Sequence, residues 1–223
     1  MSSSDEALGI FRQIYASDHW KGGSGEGSEV AVTEAYRRVL AAVLRGCDVE
    51  TVVDAGCGDW QFSRLVDWSA TRYRGFDIVP EVIEGNRSAY GSENIRFDVA
   101  DIRTEELPAA DLLVCKDVLQ HWDQLSIRAF LARHLGRYRY ALVTNDVASV
   151  HVGPDALNRD IPIGHWRTLD LEREPFALRA QWRLDYDIRG EWTKRCLLFV
   201  RRRSRVPAAR RRRSALQSCR ELS

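Results

Sequence analysis

Short runs of β-branched and aliphatic residues alternate with longer amphipathic stretches along most of this chain. The first five runs span residues 51–54, 73–77, 95–99, 111–115 and 140–144. Apolar residues at helical spacing mark the stretches at about 5–20, 29–45, 61–67, 80–90 and 125–135. Strands that alternate with helices form βαβ units, which build a parallel sheet covered by helices. The pattern therefore predicts an α/β domain.

Two further runs lie near the end of the chain, at residues 182–188 and 195–200, with Gly190 between them. The connection is too short for the helical crossover that parallel neighbours need. These runs are therefore expected to form an antiparallel hairpin at the edge of the sheet. Together the runs predict a seven-stranded, mostly parallel sheet, and no structure is predicted beyond Arg203.

Composition limits the class of protein. A length of 223 residues suits one domain with a full core, and an apolar fraction of 44% is ordinary for a globular chain. No run approaches the ~18 apolar residues of a membrane span, and the first fifteen residues lack the pattern of a secretory signal. Five scattered cysteines without a CxxC pair indicate reduced thiols. We expect a cytoplasmic protein without a disulfide framework or a metal site.

Charge is distributed unevenly along the chain. Nine arginines and one acid follow Val200, whereas the whole chain has a net charge of only +1, so residues 1–200 are acidic. An arginine-rich segment such as residues 204–223 can bind RNA or an anionic membrane, or it can be a solvated extension. The abrupt change of composition favours the solvated, disordered extension.

A glycine-rich loop, residues 22–28, follows the first helical stretch. Such composition is typical of a flexible linker. Because Trp20 precedes the loop and a helix follows it, the loop can instead be a lid over a ligand, with Trp20, Ser24 and Gly25 as contacts. Residues 1–28 are thus interpreted as a helix with a glycine-rich lid, and residues 29–203 as the main domain.

The first predicted strand ends in Asp54, and Gly56 and Gly58 follow at alternate positions. Glycine permits positive φ and lets a ligand approach the backbone, and ligands of open α/β sheets bind at the carboxyl ends of the strands. A dinucleotide cofactor needs a third glycine in the pattern G-x-G-x-x-G, but Gln61 stands there. A ligand with an ammonium group and no phosphate suits a carboxylate at this turn better.

Residues 52–58 resemble the first motif of the class I S-adenosylmethionine-dependent methyltransferases, and the segments 75–77, 97–102 and 111–121 resemble its later elements in the same order. The resemblance covers about residues 30–200. It implies a Rossmann-like α/β sandwich, S-adenosylmethionine as the cofactor, and transfer of its methyl group to an oxygen or nitrogen atom. The family often has a further glycine where this chain has Trp60, so the turn must admit a bulky side chain.

By this resemblance, Asp77 accepts hydrogen bonds from the ribose hydroxyls and Asp101 accepts one from the adenine amino group, beside Ile102. Asp98 is an alternative to Asp101. The residues predicted to bind the cofactor are Trp20, Ser24, Gly25, Asp54, Gly56, Gly58, Asp77, Ile78, Asp101, Ile102 and Lys116.

Two residues are candidates for catalysis. His121 follows the fourth strand, and histidine has an ordinary pKa suited to removing a proton from an acceptor. Asp146 follows the fifth strand, where it can hold the acceptor. A long connection, about 147–180, can cover the acceptor pocket. Its Trp166, with Trp182 and Trp192 further along, is compatible with a flat or apolar acceptor or with core packing.

Three functions remain open at this point. A small-molecule methyltransferase is favoured. An RNA or protein methyltransferase anchored by the basic tail is an alternative, as is a cofactor-binding protein without catalytic activity.

Overall fold

The computed structural model describes residues 3–201, which form four α-helices, seven strands and short 3₁₀ turns. The helices are α1 (Ser4–Ala16), α2 (Glu34–Gly46), α3 (Pro80–Tyr90) and α4 (Gln124–His134). The strands are β1 (Thr51–Ala55), β2 (Arg72–Asp77), β3 (Ile95–Val99), β4 (Leu112–Lys116), β5 (Tyr140–Ser149), β6 (Trp182–Ile188) and β7 (Trp192–Val200). The Arg-rich segment at 204–223 lies outside the described residues.

All seven strands join one sheet in the order β3-β2-β1-β4-β5-β7-β6. The pairs from β3 through β5 are parallel, whereas β7 pairs antiparallel with both β5 and β6. This confirms the predicted mostly parallel sheet with an antiparallel hairpin at its edge. Strand β4 is buried along its whole length, as a central strand covered on both faces must be.

The core lies on both faces of the sheet, because successive residues of a strand point to opposite sides. Val53 belongs to the cluster on one face, where α1 and α4 pack and Phe130 is buried. Val52 belongs to the cluster on the other face, with Tyr36 of α2 and Ile83 of α3. The carboxyl ends of β1, β2 and β4 thus open at one edge of a well-covered sheet.

The connection between β1 and β2 differs from the prediction. Residues 61–67 were expected to be helical, but they contain only a 3₁₀ turn at Ser63–Leu65. Trp60 has a φ of 58°, and its ring packs within 5.1–5.4 Å, between centroids, of Tyr73, Tyr90 and Phe97. Burial of this indole therefore holds the chain in a left-handed turn, and the bulky side chain is admitted because it is part of the core.

Other elements differ only at their ends. Helix α2 begins at Glu34, five residues later than expected, because residues 30–32 form a turn in which the Val32 N–H donates to the Glu29 carbonyl. Strands β5 and β7 are longer than expected and pair over almost their whole length. Among residues 3–201, no helix is long and apolar enough to cross a membrane. Within the same range, no cluster of acidic, histidine and cysteine side chains could hold a metal ion.

Candidate active site

A cavity of about 820 Å³ opens at the carboxyl ends of β1, β2 and β4. We call it the strand-end cavity. Ten of the eleven residues predicted to bind the cofactor line it, and Gly25 lines the neighbouring cavity instead. The ten are Trp20, Ser24, Asp54, Gly56, Gly58, Asp77, Ile78, Asp101, Ile102 and Lys116. Side chains from five separate segments of the sequence therefore meet in one place.

The glycine turn after β1 leaves no room for side chains. Gly56 and Gly58 have φ angles of 84° and 54°. A Cβ atom on Gly56 would lie 2.4 Å from Val118 Cγ2, and one on Gly58 would lie 2.2 Å from Ser24 Oγ. The Gly56 N–H also donates to the Phe76 carbonyl at 2.8 Å, which ties the turn to β2. Glycine is needed at both positions because the backbone is left-handed and crowded.

Asp54 ends β1 with a buried carboxylate. Its Oδ2 accepts a 2.7 Å hydrogen bond from the Tyr73 hydroxyl. Burial raises the pKa of Asp54 to about 6, although the bond from Tyr73 and the charge of Lys116 act in the opposite direction. The carboxylate is therefore oriented by Tyr73 and would gain from a cationic partner.

Asp77 ends β2 and braces the glycine turn. Its two carboxylate oxygens accept hydrogen bonds from the backbone N–H groups of Gly58, at 3.2 Å, and Val79, at 3.1 Å. Burial raises the pKa of Asp77 to about 6, partly offset by these N–H donors. Each oxygen keeps a further lone pair, so the carboxylate can still accept from two hydroxyl groups.

Asp101 is more fully engaged than its predicted role requires. Arg103 donates three hydrogen bonds to its carboxylate and Ser4 Oγ donates a fourth, at 2.7–3.1 Å. Burial acts to raise the pKa of Asp101, but these bonds hold it below its ordinary value. An adenine amino group would have to displace one of these donors. The alternative, Asp98, pairs with Arg74 at 2.6 Å and does not line the cavity.

The segment from Trp20 to Ser28, which we call the lid, packs against the glycine turn. The Asp59 N–H donates to Ser24 Oγ at 2.8 Å, and the Ser24 N–H donates to Asp59 Oδ2 at 3.2 Å. Lys116 Nζ donates to the Gly27 carbonyl at 2.8 Å. A Cβ on Gly23 would lie 2.0 Å from Asp59 Oδ2. The glycines of the lid thus allow its backbone to lie close to the glycine turn after β1.

A second cavity of about 1000 Å³ lies beneath the connection between β5 and β6. We call it the roof cavity. Its lining includes Trp20, Ser24, Gly25, Glu26, Asp117, Gln120, His121, Asp146, His151, Trp166, Ile188, Arg189, Trp192 and Lys194. Four residues, Trp20, Ser24, Asp117 and His121, line both cavities. The two spaces are therefore separated only by a shared wall.

His121 lies in that shared wall, with its ring 4.9 Å from the Trp20 ring, between centroids. Its Nδ1 is 3.1 Å from the His165 carbonyl, which can only accept, so Nδ1 carries the proton and Nε2 keeps a lone pair. Burial lowers the pKa of His121 to about 4. The ring is thus neutral at pH 7, and its Nε2 is a weak base.

Asp146 also lines the roof cavity, but its carboxylate is held by other side chains. Lys194 Nζ donates to Oδ1 at 2.7 Å, while Gln120 and the Trp166 indole donate to Oδ2 at 3.0 and 3.2 Å. That Asp146 also holds the acceptor stays a prediction. In this arrangement its carboxylate orients Trp166 and Lys194.

Sequence reasoning named Lys116 and Asp146 separately but missed Asp117 and Lys194, which join them in a charged cluster at the shared wall. Asp117 Oδ2 accepts from Lys116 at 2.5 Å and from Lys194 at 2.8 Å, and Lys194 continues to Asp146. Burial acts to lower the pKa of Lys194, but the two carboxylates hold it above its ordinary value. One signal was available: the chain has only three lysines, and two of them lie here.

Part of the sequence and the whole fold are similar to those of known proteins. Residues 53–136 match the family model described as a methyltransferase domain. No curated protein matches the sequence. Among solved structures, a SAM-dependent methyltransferase of Leishmania major is 13% identical, with a TM-score of 0.64 over 87% of this chain and 82% of that one.

Two bacterial structures are similar. The N-methyltransferase NodS of Bradyrhizobium japonicum is 14% identical, with a TM-score of 0.61 over 87% of this chain and 97% of that one. The magnesium protoporphyrin IX methyltransferase of Synechocystis is 15% identical, with a TM-score of 0.60 over 88% and 100%. At such identities the likeness shows the fold. The matched family model adds a methyltransferase domain over residues 53–136, which is less than half of the chain.

Proposed function

We propose that this chain transfers a methyl group from S-adenosylmethionine to an oxygen or nitrogen atom of a small molecule bound in the roof cavity. The observation that carries the proposal is the wall shared by the two cavities, formed by Trp20, Ser24, Asp117 and His121. A donor in the strand-end cavity and an acceptor in the roof cavity would meet at this wall.

The residues of the strand-end cavity fit the donor chemically. Asp77 can accept from both ribose hydroxyls, and Asp54 offers a carboxylate to the amino group of the methionine part. Gly56 and Gly58 line the cavity without side chains, so a ligand can approach the backbone there. S-adenosylmethionine supplies an activated methyl group on a sulfonium that is already a good leaving group.

The protein then has mainly to position the two reactants, because oriented neighbours react far faster than free ones. Trp20 closes the shared wall from the lid side, where its ring also contacts Tyr15 at 5.7 Å, between centroids. His121 presents a neutral ring whose Nε2 can accept a hydrogen bond from the acceptor.

The roof cavity is suited in size and lining to a small acceptor. Its volume apart from open solvent is about 320 Å³, at the lower end of the range of small-molecule sites, ~300–1,000 Å³. Three indole rings, of Trp20, Trp166 and Trp192, contribute to its walls. The similar enzyme from Synechocystis is named for a small-molecule acceptor, magnesium protoporphyrin IX, which supports the same class of function.

Calorimetric titration with S-adenosylhomocysteine, followed by a screen of small-molecule acceptors for release of that product from S-adenosylmethionine, tests the proposal. We expect saturable binding and turnover with at least one acceptor. Failure to bind would refute the donor site. Binding without transfer to any acceptor would favour a cofactor-binding protein without catalytic activity.

Replacing Trp20 with alanine should weaken binding of S-adenosylhomocysteine about tenfold, because each aromatic contact that orders the lid contributes ~0.5–1.5 kcal/mol. The relevant contacts are those of Trp20 with Tyr15 and His121. Trp182→Ala is the matched control, since Trp182 lies on β6 and lines neither cavity. Equal affinities of the Trp20 variant and the wild type would contradict a lid that covers the donor.

Affinity for S-adenosylhomocysteine should rise between about pH 5 and pH 7, by up to ~10-fold per pH unit for each coupled carboxyl group. Asp54 and Asp77, each with a pKa raised to about 6, become charged acceptors over this interval. Calorimetry at a series of pH values measures the trend, and a flat profile would contradict it.

The same shifts act oppositely on the stability of the free protein. The raised pKa values of Asp54 and Asp77 contribute to the free energy of unfolding. This contribution is fully present below about pH 4 and is lost as the pH rises through about 6, because the folded state then holds two buried carboxylates. Ligand affinity and this part of the stability should therefore change in opposite directions.

A further inference from the structure

One oxygen of the charged cluster has no partner. Asp117 Oδ2 accepts from Lys116 and Lys194, whereas Oδ1 is buried and accepts no hydrogen bond. Leaving a buried polar atom unpaired costs ~1–3 kcal/mol, and a catalytic or binding role is one explanation for such an atom. The Asp117 backbone also has a φ of 57°, a strained conformation that is concentrated at functional sites.

The position of Asp117 indicates what the missing partner must be. Burial acts to raise the pKa of Asp117, but Lys116 and Lys194 hold it below its ordinary value, so the group stays ionised and can only accept. Its partner must therefore be an N–H or O–H donor. Asp117 lines both cavities, so a donor that reaches its covered Oδ1 by displacing neighbouring atoms would stand at the wall between them.

The surrounding groups favour nitrogen over oxygen. A hydroxyl group needs a base, but His121 has a pKa of about 4 and Asp146 is engaged by three side chains. A neutral amine needs no base, and it gains positive charge as it attacks. A fixed carboxylate beside that charge stabilises the transition state. The roof cavity lining also contains three carboxylates, of Glu26, Asp117 and Asp146, against the two cations Arg189 and Lys194.

The aromatic residues of the roof cavity indicate what kind of molecule carries the amine. Trp166 is oriented by its 3.2 Å hydrogen bond to Asp146, and the Trp192 ring lies 5.1 Å from the His151 ring, between centroids. Together with Trp20, these rings offer flat apolar surface. Aromatic faces also attract ammonium groups.

We propose, on the basis of the function proposed above, that the acceptor is a primary or secondary amine on an aromatic body, whose N–H group donates to Asp117 Oδ1. The nitrogen lone pair forms the new N–C bond while the S–C bond breaks, and sulfur keeps that electron pair as a thioether. The amine enters this step as the neutral base, after its ammonium proton has passed to solvent, and the methylated product leaves as an ammonium ion.

Tryptamine and tryptophol test this inference, because they share an indole ring and chain length and differ in an amine against a hydroxyl group. Their binding is measured by calorimetry on the full chain saturated with S-adenosylhomocysteine, and methylation with S-adenosylmethionine is followed by mass spectrometry. We expect tryptamine to bind at least about tenfold more tightly than tryptophol and to be methylated on its side-chain nitrogen.

Asp117→Asn should remove this preference, with at least a tenfold loss of tryptamine affinity and little change for tryptophol, because the amide keeps the shape but not the charge. Asp155→Asn is the matched control: Asp155 is exposed and lines neither cavity, so the preference should remain. Titration with S-adenosylhomocysteine shows that each variant retains its donor site.

Equal affinity for the two probes in the wild type would overturn the inference, and that comparison does not depend on how the variant folds. A preference that persists in Asp117→Asn would also overturn it, as would failure of tryptamine to bind. In these cases intact binding of S-adenosylhomocysteine would leave the proposed function standing. Loss of that binding in the wild type would overturn both.

Discussion

Asp77→Ala should lower the affinity for S-adenosylhomocysteine by ~10²–10⁴-fold, because two hydrogen bonds from ribose hydroxyls to a charged acceptor contribute ~1.5–3 kcal/mol each. The change also leaves the N–H groups of Gly58 and Val79 without their acceptor, so the glycine turn loses its brace to β2. Calorimetric titration measures the loss.

Asp98→Ala is the matched control for Asp77. Asp98 does not line the strand-end cavity and instead pairs with Arg74 near the sheet edge. Its removal should therefore leave the affinity for S-adenosylhomocysteine within about twofold of the wild type. Circular dichroism at the titration temperature establishes that both variants are folded. Undiminished binding by a folded Asp77→Ala protein would remove the central support for the donor site.

Lys194→Met should destabilise the protein by ~3–5 kcal/mol, because removing one partner leaves buried charge uncompensated. Asp117 and Asp146 would lose their shared cation, and only Lys116 would remain near Asp117. For a chain of this length, each kcal/mol lowers Tm by ~2–4 °C. Denaturant unfolding gives the change in free energy directly.

Lys21→Met is the control for Lys194, since Lys21 is exposed and such surface changes alter stability by about 0.5 kcal/mol or less. If both lysine variants were equally stable, the charged cluster would contribute nothing to the fold. The comparison separates loss of a buried cation from loss of a lysine side chain as such.

The lining of the strand-end cavity was predictable from sequence because it depends on the order of strands and loops along the chain. Each parallel strand brings its carboxyl end to the same edge, so Asp54 and Asp77 had to lie close together once β1 and β2 were recognised. The number of strands and the antiparallel hairpin followed similarly from run lengths and from the short connection at Gly190.

The charged cluster was not predictable, because its members come from distant segments. Asp117 and Lys194 are separated by 77 positions and meet only when β7 pairs with β5. The engagement of Asp101 by Ser4 depends likewise on how α1 packs across the strand ends. Hydrophobic periodicity carries no information about such long-range pairing of polar groups.

Amphipathic spacing also wrongly predicted a helix at residues 61–67, where burial of Trp60 prevents it.

The irregular chain after the glycine turn bears on cofactor selectivity. An α-helix that begins at a glycine turn directs several free N–H groups and the positive end of its dipole at a phosphate. Here the turn leads into irregular chain and a three-residue 3₁₀ segment, so the electrostatic stabilisation of a bound pyrophosphate is weak. The backbone thus lacks the helix N-terminus that would favour a dinucleotide over an adenosyl ligand without phosphate.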